Sequence, residues 1–172
     1  MPLVTSAHLS RFFLITLWTL ICLLILAAPI GRAHGFSTAP GLACLMFAPV
    51  CHQLPERSFT LWGYPWAVCQ RCSGIYLGLL AGALFHCKVF EKLAGHSARR
   101  LVVVAMTLPL MLDVMLPLTG IWINLPFTRF ATGFLFGTML SLLLVPGVSE
   151  FLREAPWKQA HVNAPHPQGG AS

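Results

Sequence analysis

Four stretches of the sequence, 12–30, 73–90, 101–119 and 130–148, are almost free of charge. Each approaches the roughly 20 apolar residues that a helix needs to cross a bilayer core. No other feature restricts the fold as strongly, because a backbone in hydrocarbon must satisfy its own hydrogen bonds and a helix does so within one segment. Once these stretches are set aside, the 172 residues leave no soluble domain of any size. Composition agrees: only 9% of the residues are charged, against about 25% in soluble domains. Hydrophobic residues make up 56%, and the mean hydropathy is +0.74. The expected fold class is all-α: an integral membrane bundle of four transmembrane helices over 1–154, with an outer Cys/His loop at 31–72. A tail at 155–172, rich in Pro, Gly and His, is expected to be disordered, and its His161 and His166 carry no role.

A net charge of +6 can mark a nucleic-acid partner, but these basic residues form no stripe interleaved with aromatics. They cluster between apolar stretches, where they set membrane orientation. With the N-terminus inside, the inner segments carry seven basic residues: Arg11, Lys88, Lys92, Arg99, Arg100, Arg153 and Lys158. The outer segments carry four: Arg32, Arg57, Arg71 and Arg129. Both termini are therefore expected in the cytoplasm of a multi-pass protein of the cell membrane. The first stretch is longer than the core of a secretory signal and lacks a clean small-x-small site after it, so it reads as an uncleaved anchor. A fifth apolar stretch, 36–50, contains Pro40, Gly41 and Pro49 and is too short to span; it reads as interfacial or re-entrant. Were it to span, the sidedness would change.

Gly74, Gly78 and Gly82 recur every four residues along the second stretch, as do Gly133 and Gly137 along the fourth. Small residues at this spacing let helix backbones approach closely in lipid. The reading is that the second and fourth helices meet there; the alternative is a contact with a second copy or a partner membrane protein.

Chemistry is concentrated in the cysteines. Cys22 and Cys87 fall in or near apolar stretches and read as buried thiols. Cys44, Cys51, Cys69 and Cys72 fall in the outer segment, where thiols can be oxidised or metallated. Cys69-Gln70-Arg71-Cys72 places two thiols at the mouth of the second helix, a spacing that grips one metal ion or closes a reactive disulfide. Cys51, His52, Cys69 and Cys72 together make a three-sulfur, one-nitrogen set, a common tetrahedral zinc shell. Adjacent residues in an extended chain point to opposite sides, so Cys51 and His52 reach one ion only through a tight turn. If only one of them binds, the fourth position falls to Cys44, His34 or water, and water would make the site an open one. A redox-active thiol pair and a static disulfide stand as alternatives.

Asp113 lies within the third stretch, where a carboxylate costs roughly 2.5–3.5 kcal/mol to insert at a helix centre and so needs a partner. Pro117 cannot donate to the carbonyl of residue 113, and Pro109 interrupts the helix one turn earlier, so the helix is expected to bend or open around the acid. The expected partner is Arg129, which enters the fourth helix from the same side, with Arg71 nearby between the cysteines. Asp113, Arg129, Arg71 and Arg57 are the candidate catalytic or pathway residues; a structural ion pair or a neutral Asp113 are the plainer readings.

Cys51-His52-Gln53, Pro55, Arg57-Ser58-Phe59, Cys69, Arg71-Cys72, Gly74-Ile75-Tyr76 and Gly78 resemble a prokaryotic family of predicted membrane proteins, domain-of-unknown-function family 2085. Asp113, Asn124, Arg129, Thr132-Gly133 and Gly137 are similar to the second half of its pattern. The likeness covers about residues 44 to 140 and implies a small multi-helix membrane protein with no assigned activity. A second likeness is architectural: four helices with Cys-x-x-Cys at an outer mouth resemble the quinone-linked disulfide-forming oxidoreductases. Those need a further outer cysteine pair. The segment 120–127 has none, and Cys44 with Cys51 would have to serve. Three functions follow as expectations: a zinc site of unassigned role, a thiol–disulfide oxidoreductase coupled to a membrane quinone, or a small transporter or accessory subunit using Asp113 and Arg129.

Overall fold

A computed structural model describes residues 3–36, 38–85, 96–120 and 124–154. Cys87, Lys88, Lys92 and the 155–172 tail lie outside the described residues. The elements run α1 (Leu3–Ala33), α2 (Thr38–Phe47), a 3-10 turn (Pro55–Arg57), β1 (Ser58–Leu61), β2 (Tyr64–Cys69), α3 (Gln70–Leu84), α4 (His96–Leu118) and α5 (Pro126–Glu154). Two helices contain stretches long and apolar enough to cross a bilayer, His8–Ala33 and Pro126–Phe151, and a shorter apolar segment runs Thr107–Leu118. Large apolar side chains point outward: Phe12 is 70% exposed on α1 and Leu112 57% on α4. Inside, the helices bury small or polar residues such as Ser10, Ser73 and Ser141. This inversion of the usual pattern suits a lipid surround, because a water-soluble chain rarely exposes apolar surface so continuously.

α1 ends in a Schellman motif. Gly35 takes φ +79°; its N–H donates to Arg32 O, and Phe36 N–H donates to Gly31 O at 2.9 Å. The chain then turns into α2, which at ten residues is about 15 Å long and far shorter than a bilayer core. Pro40 of α2 packs against Gly31, where a Cβ would come within 2.8 Å of its ring.

The all-α expectation needs one correction. Residues 58–69, read as loop, form an antiparallel β-hairpin with Leu61 opposite Tyr64 and Ser58 opposite Cys69. Its two-residue turn, Trp62–Gly63, has positive φ at both positions (53° and 81°), as a type I′ turn requires. The aromatic and β-branched residues of the strands favour this state. Phe59 on β1 makes edge contacts with Trp66 on β2 and with Phe130 on α5, centroids 5.4 and 5.8 Å apart, which docks the hairpin on the bundle.

Helix direction can be read from contacts. Gly74 of α3 lies against Phe130 and Phe134 of α5, Gly78 against Phe134 and Thr138, and Gly82 against Thr138 and Ser141, so α3 and α5 run parallel. Gly133 and Gly137 in turn lie on the Arg71 and Ile75 backbone. The expected meeting of these two glycine faces is what the structure shows. Arg11, near the start of α1, donates from Nε to Ala83 O at 3.0 Å and also bonds Leu84 O, at the end of α3. α1 is thus antiparallel to α3, and Arg11 satisfies carbonyls that the helix end leaves open. The start of α1 and the end of α3 therefore share one end of the bundle, and Cys51, Cys69 and Cys72 lie at the other.

The glycine seam gives a direct test. A Cβ on Gly78 would meet the Phe134 carbonyl and come within 2.9 Å of Thr138 N, both backbone atoms that cannot swing aside. At Gly147, also on α5, a Cβ would meet nothing within 4 Å. Gly78→Ala should destabilise the protein in detergent by about 1–3 kcal/mol, whereas Gly147→Ala should be neutral or gain up to about 1 kcal/mol of helix propensity. Unfolding curves of the two variants in one detergent check this; equal stabilities would mean the seam is not close-packed.

Candidate functional site

The site forms where α2, the hairpin, α3, α4 and α5 converge. Cys51 follows α2, its N–H bonded to Phe47 O at 2.9 Å, and its side chain is 5% exposed. Two residues on, Gln53 takes φ 52°, a left-handed conformation uncommon for a residue with a side chain. Its amide holds the turn by donating to Cys44 O at 2.6 Å. The chain then passes through the hairpin, which returns it to Cys69 opposite Ser58. Cys69 is the N-cap of α3, and its N–H donates to Cys51 Sγ at 3.2 Å. One helical turn places Cys72 beside it. The Sγ atoms of Cys51, Cys69 and Cys72 all lie within 4.8 Å of one another, close enough to hold one metal ion.

His52 does not join this group. It is exposed, whereas Cys51 beside it is buried, as the opposite pointing of adjacent side chains requires. Cys44 also stands apart, with Arg32 Nη2 3.6 Å from its sulfur. Hydrogen bonds from the Cys51 and Cys72 thiols pull the Cys69 thiol far below its ordinary range. Cys72 moves up, because its thiol is held by Cys51 and Cys69 and is partly desolvated. Cys69 therefore gives up its proton far more readily than Cys72 does.

Beneath the thiols lies a second polar unit. Arg71 Nε donates to Asp113 Oδ2 at 2.9 Å, and Arg71 Nη2 bonds both Asp113 Oδ2 and the Asp113 carbonyl, the latter at 3.1 Å. The Asn124 amide also donates to the Asp113 carbonyl. That carbonyl is free because residue 117 is a proline with no N–H to offer it. Pro117 thus leaves an acceptor open, and two side chains take it. The expected partner of Asp113 needs correction: Arg71, not Arg129, makes the ion pair. Both residues enter from the same end, but the Arg71 side chain reaches across to α4, while Arg129 Nη1 donates to Gln70 Oε1 at 3.5 Å. Sequence spacing cannot tell which of two arginines faces the acid, since that depends on helix rotation.

A cavity of about 360 Å³ joins the two units, lined by Cys51, Cys69 and Cys72 on one side and by Arg71, Asp113, Asn124 and Arg129 on the other. His52 and Arg57 also line it, whereas Cys44 and His34, the alternative fourth ligands, do not. In the sequence, only the family resemblance marks Asn124. No spacing signal marks it, because it acts from the connection after α4.

The Asp113 side chain is 6% exposed and that of Arg71 25%, so breaking the pair strands a charge. Arg71→Gln or Asp113→Asn alone should cost about 3–5 kcal/mol, and the double variant less than the sum. A double-mutant cycle in detergent measures the coupling. The parallel cycle for Asp113 with Arg129 should be additive within about 0.5 kcal/mol; coupling there and additivity for Arg71 would reverse the assignment.

Comparison with known proteins places the chain. A family model described as "Predicted membrane protein (DUF2085)" matches residues 51–143. An uncharacterised protein of Methanocaldococcus jannaschii is 31% identical over 102 residues, 59% of this chain and 65% of the relative. An uncharacterised protein of Methanothermobacter thermautotrophicus is 32% identical over 102 residues, 59% of this chain and 90% of that relative. The match thus spans slightly under two thirds of the first relative. No solved structure matches. The matched region opens at Cys51 and takes in the thiol cluster, Arg71, Asp113, Asn124, Arg129 and the glycine seam, and with it the chain belongs to the DUF2085 family of predicted membrane proteins.

Proposed function

We propose that this protein spans the membrane with four helices (α1, α3, α4 and α5) and holds a zinc ion at its outward end on Cys51, Cys69 and Cys72. The observation that carries this reading is the convergence of three sulfurs within 4.8 Å of one another. Tetrahedral zinc with Zn–S bonds of about 2.3 Å sets its sulfurs roughly 3.8 Å apart, so a small contraction suffices. Three thiolates are soft ligands that suit zinc, and the helix N-terminus with Arg71 favours their charge. His52 stands exposed beside the cluster and supplies the fourth ligand only by turning inward; otherwise that position opens to the cavity, as in catalytic zinc sites. Outward placement is supported by the basic-residue asymmetry, seven inner against four outer. It is further supported by the polar groups gathered at the end away from the start of α1.

The quinone-linked redox reading is weaker, because it uses two of the three sulfurs and needs a second pair. Cys44 lies outside the cluster. The transport reading loses force because Asp113 is engaged by Arg71 and Asn124.

Protein purified gently without chelator should contain one zinc per chain by elemental analysis, and Cys72→Ser should lose it. Zinc must displace the proton that Cys72 retains, so affinity should fall at least about tenfold for each unit that the pH is lowered. Metal-free protein with a quantitative Cys69–Cys72 disulfide would favour the redox reading instead. For orientation, an impermeant thiol reagent applied to intact cells should label a cysteine introduced at Glu56 and spare one introduced at Glu91; the opposite pattern would invert the topology.

A further inference from the structure

The charges around the cavity do not balance. Three guanidinium groups line it, those of Arg57, Arg71 and Arg129, against one carboxylate, Asp113. Arg71 and Asp113 neutralise each other, and theirs is the one salt bridge among the described residues. Arg129 is half-buried, and its one hydrogen bond among the described residues goes to the neutral Gln70 amide oxygen, at 3.5 Å. Arg57 is exposed at the rim, on the turn that leads into the hairpin. Two positive charges are therefore left facing the cavity. Three thiolates on one divalent ion would carry a net charge of minus one, which still leaves one of these two positive charges without a counter-charge. A guanidinium drawn out of water without a partner is costly, and its planar fork of donors matches the oxygens of a phosphate or carboxylate.

We propose that this cavity is a binding site for an oxyanion of the phosphate type, held between Arg129 and Arg57 directly against the three-cysteine cluster. One singly charged oxyanion neutralises the cavity. The volume of about 360 Å³ exceeds what a bare phosphate fills, leaving room for the group that bears it. Asn124 lines the same wall and is fixed by its bond to Asp113. Arg71 is tied to Asp113, so it shapes the floor while Arg129 and Arg57 make the contact. The anion site stands on the cavity and its cations and does not require the metal. Because Arg129 sits in the first turn of a helix apolar enough to span, the phosphate can arrive free from solution or on a lipid headgroup.

The test titrates inorganic phosphate into the purified full-length protein in phosphate-free detergent, followed by calorimetry, with zinc content measured on the same samples. A second arm measures flotation of the protein with phosphatidylcholine vesicles containing or lacking phosphatidic acid, in the presence and absence of inorganic phosphate. Saturable binding of one phosphate per chain is expected, weakened at least tenfold in Arg129→Gln and in Arg57→Gln with zinc content unchanged. Binding of inorganic phosphate alone identifies a soluble ligand; a preference for phosphatidic acid that both variants lose identifies a headgroup. Arg57 is exposed, so its variant should fold even if Arg129→Gln does not. Arginine-dependent binding in a protein without zinc would support the anion site and remove the metal reading. The proposal is overturned if neither probe binds, or if binding is unchanged in Arg57→Gln and in every Arg129 variant that folds.

Discussion

The site depends on the close approach of α3 and α5. Backbone lies on backbone at Gly74, Gly78, Gly133 and Gly137, leaving no room even for a methyl group. In lipid, where burying apolar surface no longer distinguishes a helix neighbour from a lipid tail, such packing is a main source of helix association. The seam fixes the height and rotation of α3 relative to α5. Cys69, Arg71 and Cys72 sit at the first turn of α3, so the seam also fixes where two of the thiols and the arginine point. Arg129, one turn into α5, is brought level with them.

Two further devices complete the site, each using a local backbone feature to place a side chain. The hairpin turns at Trp62–Gly63, and its length carries the chain from the turn after Cys51 back to Cys69. The third sulfur is therefore delivered by strand pairing, with the Cys69 N–H to Cys51 Sγ bond closing the loop. On α4, Pro117 withholds an N–H, the Asp113 carbonyl is left open, and Arg71 and Asn124 bind it. A missing hydrogen bond in one helix thus becomes an anchor between that helix, α3 and the connection to α5. The buried carboxylate accepts two hydrogen bonds from the Arg71 guanidinium, and such a charged partner is how an acid is tolerated at a bundle interior.

Much of this was legible in the sequence because it rests on short-range pattern. The apolar stretches located the four helices α1, α3, α4 and α5, although α1 starts nine residues before its stretch and α3 ends at Leu84, short of residue 90. Glycines four apart marked the seam, and Cys69-x-x-Cys72 with Cys51 marked the cluster. The hairpin was missed because Trp-Gly is not among the usual two-residue turn pairs and Pro65 argues against a strand. The run Phe59-Thr60-Leu61 and Tyr64 to Val68 about a glycine was the signal available. Arg129 was chosen over Arg71 as the partner of Asp113 because consecutive helices make the simpler pairing, whereas the observed one follows from the rotation that the glycine seam imposes on α3. The expected four-residue set with His52 needs correction: backbone alternation points His52 away from Cys51, and the left-handed turn at Gln53 leaves it exposed.

The central claim is a three-sulfur metal site facing a polar cavity, and X-ray absorption at the zinc edge of the purified protein tests it most directly. The account predicts three sulfur scatterers at about 2.3 Å and one nitrogen or oxygen at about 2.0–2.1 Å, with the sulfur count falling in Cys51→Ser. A shell of four sulfurs, a shell of nitrogen and oxygen only, or an unchanged sulfur count in that variant would contradict it.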